Sequence, residues 1–266
     1  MELNMGCHLN HTGILRYRDP QDKQQSSRYF LFDAGCRNIS LKKWGRSQPR
    51  EISAISLYQL VYGGIIMEIT DSKKLTHTRW INLFDVSYTD KTGQDRNWQV
   101  VSRNSQPKCI SGKFDIPDAV LMIPFHTVLQ KLVILREYRV SLAGFQYEFP
   151  AGLVDKDESI QEASRRELME ETGLSLTRIT GISPPLYNTA GLADESVVLV
   201  HCECDGIPSA ADNRGSEIIE VHLLSPEDAT RILSDAHAMW DVKLWMALKH
   251  FAEHGMTVGR DTGLSS

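Results

Sequence analysis

Gly152-Leu-Val-Asp-Lys-Asp-Glu158-Ser-Ile-Gln-Glu-Ala-Ser-Arg-Arg166-Glu167-Leu-Met-Glu170-Glu171-Thr-Gly173-Leu174 sets three glutamates and an arginine at helical offsets that no apolar core requires. Ser159 followed by Glu162 has the form of a capping box, in which the serine side chain accepts a backbone N–H and the glutamate reaches back to the cap. Gly173 stands where a helix stops, because glycine enters the left-handed region without steric cost. The spacing predicts a helix over Ile160–Thr172. At roughly 100° per residue, Glu167, Glu170 and Glu171 share one sector with Ile160 and Ala163, which puts charge on the expected inner face. Like carboxylates at these spacings repel by a few tenths of a kcal/mol per pair, and by more when partly buried. A divalent cation relieves that conflict. Oxygen-only ligands suit Mg²⁺ or Mn²⁺ rather than zinc, and Mg²⁺ commonly bridges carboxylates to a substrate's phosphates. On these residues alone, the competing reading is a solvated acidic face with an Arg166–Glu170 i,i+4 pair.

On either side of this stretch the pattern alternates between strand and helix. From about Thr78 it has period two, through Trp80, Leu83 and residues 84–88, then Asp90-Lys-Thr-Gly93 as a turn, then 98–101, which reads as a β-hairpin. Further strands are expected over 119–124, 131–138, 197–201 and 217–224. Helices are expected over 226–234 and 241–254, the latter with Leu244, Ala247, Leu248 and Phe251 at helical spacing. Residues 1–66 read as an N-terminal extension of unknown role, with one apolar segment at 55–66. The mixture predicts an α+β chain: an α/β/α sandwich around a mixed sheet, with a small antiparallel sheet in front.

Composition narrows the function classes. The net charge of -5 and pI near 6.0 give no general attraction to nucleic acid or to an anionic membrane, so a small anionic ligand has to be drawn by local charge and metal. No apolar run is long enough to span a bilayer, and no signal-peptide core is evident. Cys7, Cys36, Cys109, Cys202 and Cys204 are odd in number and lack paired metal-ligand spacing, which predicts reduced thiols in a cytoplasmic protein and no zinc site.

The stretch from Gly152 to Leu174 matches, at every fixed position, the box G-x5-E-x7-R-E-U-x-E-E-x-G-U, where U is a bulky aliphatic residue, and so resembles the Nudix hydrolases. That resemblance implies hydrolysis of a nucleoside diphosphate linked to another group, with Mg²⁺ held by the box helix. Leu135-Arg-Glu-Tyr-Arg139, Tyr147-Glu-Phe-Pro-Ala-Gly152, Pro184-Pro185 and Tyr187-Asn-Thr-Ala-Gly-Leu-Ala-Asp-Glu195 resemble the ADP-ribose and ADP-sugar pyrophosphatase branch. The resemblance runs over about 67–254 and implies four parts: the extension 1–66, a dimerisation sheet over 67–115, a hydrolase domain over 116–255 and a tail over 256–266.

Adenine favours an aromatic surface, and stacking contributes roughly 1–3 kcal/mol per base. Trp80 and Trp98 are the aromatic residues placed for it. By resemblance, such tryptophans come from both subunits of a domain-swapped homodimer, and Arg103 reaches the partner's phosphates. Arg139 then serves the pyrophosphate from within the subunit, a task suited to a bidentate guanidinium. On the residues alone, both tryptophans read equally as strand packing and both arginines as surface residues. Glu148 either lines the pocket or pairs with an arginine.

Pyrophosphate hydrolysis needs charge neutralisation, a positioned water and a carboxylate to take its proton. By resemblance the metal ligands are Glu167, Glu171 and the Ala151 carbonyl, with Glu170 binding additional metal or orienting water. Arg166 holds the box glutamates in place. The base is expected on a loop well after the box, in Asp212-Asn-Arg-Gly-Ser-Glu217-Ile-Ile-Glu220, with Glu217 as the candidate and Glu220 as its competitor. Two alternatives remain beside an ADP-sugar substrate. One is a pyrophosphatase for a GDP-sugar, NADH or a dinucleoside polyphosphate; the other is a non-catalytic ADP-ribose sensor.

Overall fold

The computed structural model describes residues 67–210 and 217–255, together with the backbone of strands β1 (Thr12–Arg18) and β2 (Ser27–Asp33). The segment 55–66, Cys7, Cys36, the loop 212–216 and the tail 256–266 lie outside the described residues. β1 and β2 pair antiparallel, from Thr12 opposite Asp33 to Arg18 opposite Ser27, in a stretch where the sequence pattern predicts no element.

β3 (Glu68–Lys74), β4 (Asn82–Thr89) and β5 (Asp95–Ser102) form a three-stranded sheet in that order. The β4–β5 turn falls where it is expected. Asp90 Oδ1 accepts the Thr92 amide at 2.8 Å, and Gly93 takes φ +81°, a conformation that glycine adopts without strain. One expectation is corrected here. Period two carries the strand back through Trp80, yet the Asn82 carboxamide accepts the Thr78 amide at 2.9 Å and donates to the Thr78 carbonyl at 3.2 Å. That exchange closes a turn over 78–82, so Trp80 sits ahead of the strand.

The chain continues through α1 (Lys108–Ser111), β6 (Ala119–His126), β7 (Lys131–Arg139), β8 (Gly144–Glu148), β9 (Ala151–Leu153), α2 (Ile160–Thr172), β10 (Ser175–Ile182) and β11 (Leu186–Tyr187). It closes with β12 (Ser196–Asp205), β13 (Ile219–Leu224), α3 (Pro226–Leu233), β14 (Met239–Trp240) and α4 (Val242–His254). Strand order is β10-β12-β6-β7-β8-β14, with β11 on β12, β13 on β7 and β9 on β6. The β12–β6 and β14–β8 pairs are parallel and the others antiparallel, so the sheet is mixed, as expected. β6 runs two residues past Pro124 because Phe125 and His126 pair with Leu132 and Lys131 of β7.

Alternation along β6 divides the core. Leu121, Ile123 and Phe125 join Leu244, Leu248 and Phe251 of α4 on one face, while Val120 and Met122 join Ala163 and Leu168 of α2 on the other. Burying each large aliphatic or aromatic side chain contributes roughly 1.5–3 kcal/mol, so these two layers fix α2 and α4 against opposite faces of one sheet. Cys202 and Cys204 are buried in the α2 layer as free thiols, and burial pushes both up to about 12, which leaves them unreactive.

By internal contacts the chain divides into two units, one of Met1–Thr70 with Tyr88–Arg96, the other of Asp71–Ser87 with Asn97–Ser266. Every residue of the candidate site described below belongs to the second. Among the described residues no helix is long and apolar enough to cross a membrane.

Candidate active site

Both ends of α2 are fixed by the sequence that predicts it. Ser159 Oγ accepts the Glu162 amide at 3.2 Å, and Glu162 Oε2 accepts the Ser159 amide at 2.9 Å. At the other end Gly173 adopts φ +69° and donates to the Met169 carbonyl at 2.9 Å. The helix buries Ala163, Ser164, Leu168, Glu171 and Thr172. Glu171 is therefore inside, but Glu170 is not: its side chain is 55% exposed. The expectation that all three glutamates share the inner face is corrected by that burial pattern. At roughly 100° per residue, the buried sector is centred near Glu171 and ends short of Glu170.

Glu171 Oε2 accepts the Ala151 amide at 3.0 Å. Burial first, and then the Glu167 charge, push its carboxyl up to about 9. Burial also raises Glu167. Gly152 explains its own presence, since a Cβ there would stand 1.9 Å from the Glu167 carboxyl carbon. Arg166 ties the assembly together. It donates to Glu158 at 3.0 and 2.8 Å, to Glu167 at 2.7 Å and to the Leu153 carbonyl at 3.0 Å. It thus clamps the start of the box to its helix.

The opposite wall is built by β7 and β8. Arg139 reaches Glu148 at 2.8 Å and Glu137 at 2.9 Å, one guanidinium nitrogen on each. Glu137 is 3% exposed. Burial first, and then the adjoining Glu148 carboxyl, push it up to about 8. The sequence reading missed Glu137, although its position on a buried strand between two arginines was the available signal.

Members of both walls line one cavity of about 530 Å³. Glu148, Glu167, Glu171 and Glu217 line it together with Arg103, Arg139, Ala151 and Gly152. Arg103 pairs with Glu195 at 2.5 Å across 92 residues of sequence. Glu195, Asn188, Asp241 and Lys243 complete the polar lining, and none was singled out from the sequence. Glu217 and Glu220 part company. Glu217 lines the cavity, and its charge contributes to the raised pKa of Glu137, Glu167 and Glu171. Glu220 is held by Arg136 on the neighbouring strand through two bonds of 3.0 Å. Trp80 and Trp98 are outside the cavity lining, 63% and 52% exposed, which is not the burial expected of packing residues. Arg79 lies over the Trp80 ring at 4.4 Å.

Six carboxylates against three cations leave the cavity strongly acidic. Glu148 Oε1 is buried with no hydrogen-bonding partner among the described residues. Among those residues, no three His, Cys, Asp or Glu side chains converge as a ready-made metal cage. An oxygen-only lining with an orphaned carboxylate oxygen fits a hard cation that takes one or two carboxylates and completes its shell from water and substrate, as Mg²⁺ does.

The raised carboxyls carry a stability consequence. Glu171 holds its proton in the folded chain up to about 9, against an ordinary value of 4.5 when unfolded. Within that window the unfolded chain binds fewer protons, so each rise in pH favours unfolding. Without divalent metal, Tm should fall between pH 6 and pH 9 by roughly 5 °C or more. Mg²⁺ added at pH 9 should restore it. A scan in which metal-free Tm is flat across this range would contradict the burial of these groups.

The NUDIX domain family matches residues 116–246. The ADP-ribose pyrophosphatase of Saccharomyces cerevisiae is 31% identical over 141 residues, covering 53% of this chain and 59% of that one. Putative nudix hydrolase 2 of Caenorhabditis elegans is 35% identical over 130 residues, covering 48% of this chain and 56% of its own length, so the chain spans little more than half of either relative. The ADP-sugar pyrophosphatase of Mus musculus is 28% identical over 202 residues, which is 68% of this chain and 87% of that one. A solved structure of an ADP compounds hydrolase shares the fold, with a TM-score of 0.55 at 21% identity over 70% of this chain and 92% of its own.

Proposed function

Because residues 116–246 make this chain a member of the Nudix family, we propose that it hydrolyses the pyrophosphate of ADP-ribose or a related ADP-sugar to AMP and a sugar phosphate. The observation that carries the reading is a single cavity of about 530 Å³ lined both by Glu167 and Glu171 of α2 and by Arg139 and Arg103. The mouse and yeast relatives named for ADP-sugar and ADP-ribose pyrophosphatase support the substrate class.

Arg139, held by Glu137 and Glu148, presents its guanidinium to the pyrophosphate from one wall, and Arg103 from the other. Bidentate guanidinium contacts fix the phosphates without committing a proton. Glu167, Glu171 and the Ala151 carbonyl would hold Mg²⁺ or Mn²⁺, which would supply charge neutralisation at the anhydride. Arg166 keeps Glu167 in place, and Glu170, on the exposed flank of α2, would serve a further ion or its water. Glu217 takes the proton from the attacking water, and Trp80 and Trp98 offer exposed ring faces for adenine in a domain-swapped homodimer. The protein acts in the cytoplasm, and neither nucleic acid nor membrane is a partner.

The test is turnover of ADP-ribose, ADP-glucose, GDP-mannose, NADH and diadenosine polyphosphate with Mg²⁺, read as AMP or GMP release. ADP-ribose should lead the panel in kcat/KM, by about tenfold over the guanine nucleotide. No turnover of any compound with Mg²⁺ or Mn²⁺ would sink the hydrolytic reading.

A further inference from the structure

Lys243 is the third cation of the cavity, and the reaction described above leaves it without a task. It enters on the wall that carries Glu148, because the Asp241 amide donates to the Tyr147 carbonyl at 2.9 Å, one residue before that glutamate. Arg103 and Glu195 stand with the start of β12, and β6 and β7 come between β12 and β8 in the sheet. The two groups of polar residues therefore sit at opposite walls of one space.

Lys243 Nζ lies 2.7 Å from Asp241 Oδ2, with the two side chains 25% and 17% exposed. Asp241 cannot swing away, since its Oδ1 accepts the amides of Lys243 at 2.9 Å and Leu244 at 3.1 Å as the cap of α4. An ammonium and a carboxylate oxygen are thus fixed side by side on the cavity wall. The ammonium only donates, and the carboxylate only accepts. A phosphate oxygen, which only accepts, would gain one of these groups and be repelled by the other. A hydroxyl both donates and accepts, so two neighbouring hydroxyls can bond both groups at once.

We propose that Lys243, steadied by Asp241, is a specificity-determining residue that reads the vicinal hydroxyls of the sugar on the second phosphate. The chain then selects nucleoside diphosphates carrying a diol over those whose terminal group has none. This assignment rests on the pyrophosphatase reading above and adds to it the end of the substrate at which selection occurs.

The test compares ADP-ribose with the β-methyl ester of ADP, which keeps adenosine and pyrophosphate but has no hydroxyl beyond them. The wild-type chain, Lys243→Met and Lys243→Arg are assayed side by side. In Lys243→Met the ratio of kcat/KM for ADP-ribose to that for the methyl ester should fall about tenfold or more, carried by KM for ADP-ribose. Lys243→Arg should recover part of it. The helix cap is made by Asp241 Oδ1 on the backbone amides of residues 243 and 244, so the helix start survives either change; if Lys243→Met does not fold, the same ratio is read in Lys243→Gln. A ratio that stays constant, with both substrates losing alike or neither losing, would overturn the assignment while leaving the pyrophosphatase intact. A wild-type chain that cleaves neither compound would overturn both.

Discussion

Glu171→Gln should lower kcat by roughly 10³-fold or more and at the same time raise the Tm of the metal-free protein. The two effects share one cause. Glu171 is 7% exposed, and burial together with the Glu167 charge makes its ionised form costly. A glutamine of the same shape still accepts the Ala151 amide that Glu171 Oε2 accepts at 3.0 Å, so the loop entering α2 keeps its anchor. What is lost is the anion that the proposed cation requires. Calorimetry of the two proteins without metal, beside turnover with Mg²⁺, separates the contributions. The gain in Tm should grow from pH 6 to pH 9 as the wild-type carboxyl is forced to ionise, and Mg²⁺ should raise the Tm of the wild type more than that of the variant. An active variant, or one whose Tm falls, would remove Glu171 from the metal site.

Glu217→Gln should reduce kcat by about 10²–10⁴-fold with KM for ADP-ribose changed by less than about threefold. Removing a base takes away an interaction made only as the proton moves, so substrate affinity is spared. The contrasting variant is Glu220→Gln. That carboxylate is held by Arg136 at 3.0 Å on an exposed stretch of β13, and exposed ion pairs contribute only about 0–1 kcal/mol. Its kcat should stay within about twofold of wild type. Equal losses in the two variants would reject Glu217 as the base, and a large loss in Glu220→Gln alone would transfer the role.

The stability–activity opposition at Glu171 extends to its surroundings. Glu137 and Glu148 on one side of the site and Glu167 and Glu171 on the other are carboxyl groups whose charge the guanidiniums of Arg139 and Arg166 offset only in part. Such a site is held together by the packing of α2 and α4 on the sheet rather than by its own electrostatics.

What the sequence determined by itself is the set of features closed within a few residues. The bounds of α2 follow from Ser159, Glu162 and Gly173, and the β4–β5 turn follows from Asp90 and Gly93. Each rests on hydrogen bonds of short sequence separation, which a local pattern encodes. Only the tertiary structure decided that Glu170 faces out, that Trp80 precedes its strand, that Glu217 rather than Glu220 lines the cavity, that Glu195 and Lys243 join it, and that buried Glu137 holds Arg139. The Arg103–Glu195 pair spans 92 residues and the Arg136–Glu220 pair spans 84, and no periodicity carries information over such a distance. Strand order and the burial of two apolar layers bring those residues together, so their roles follow from where the sheet places them.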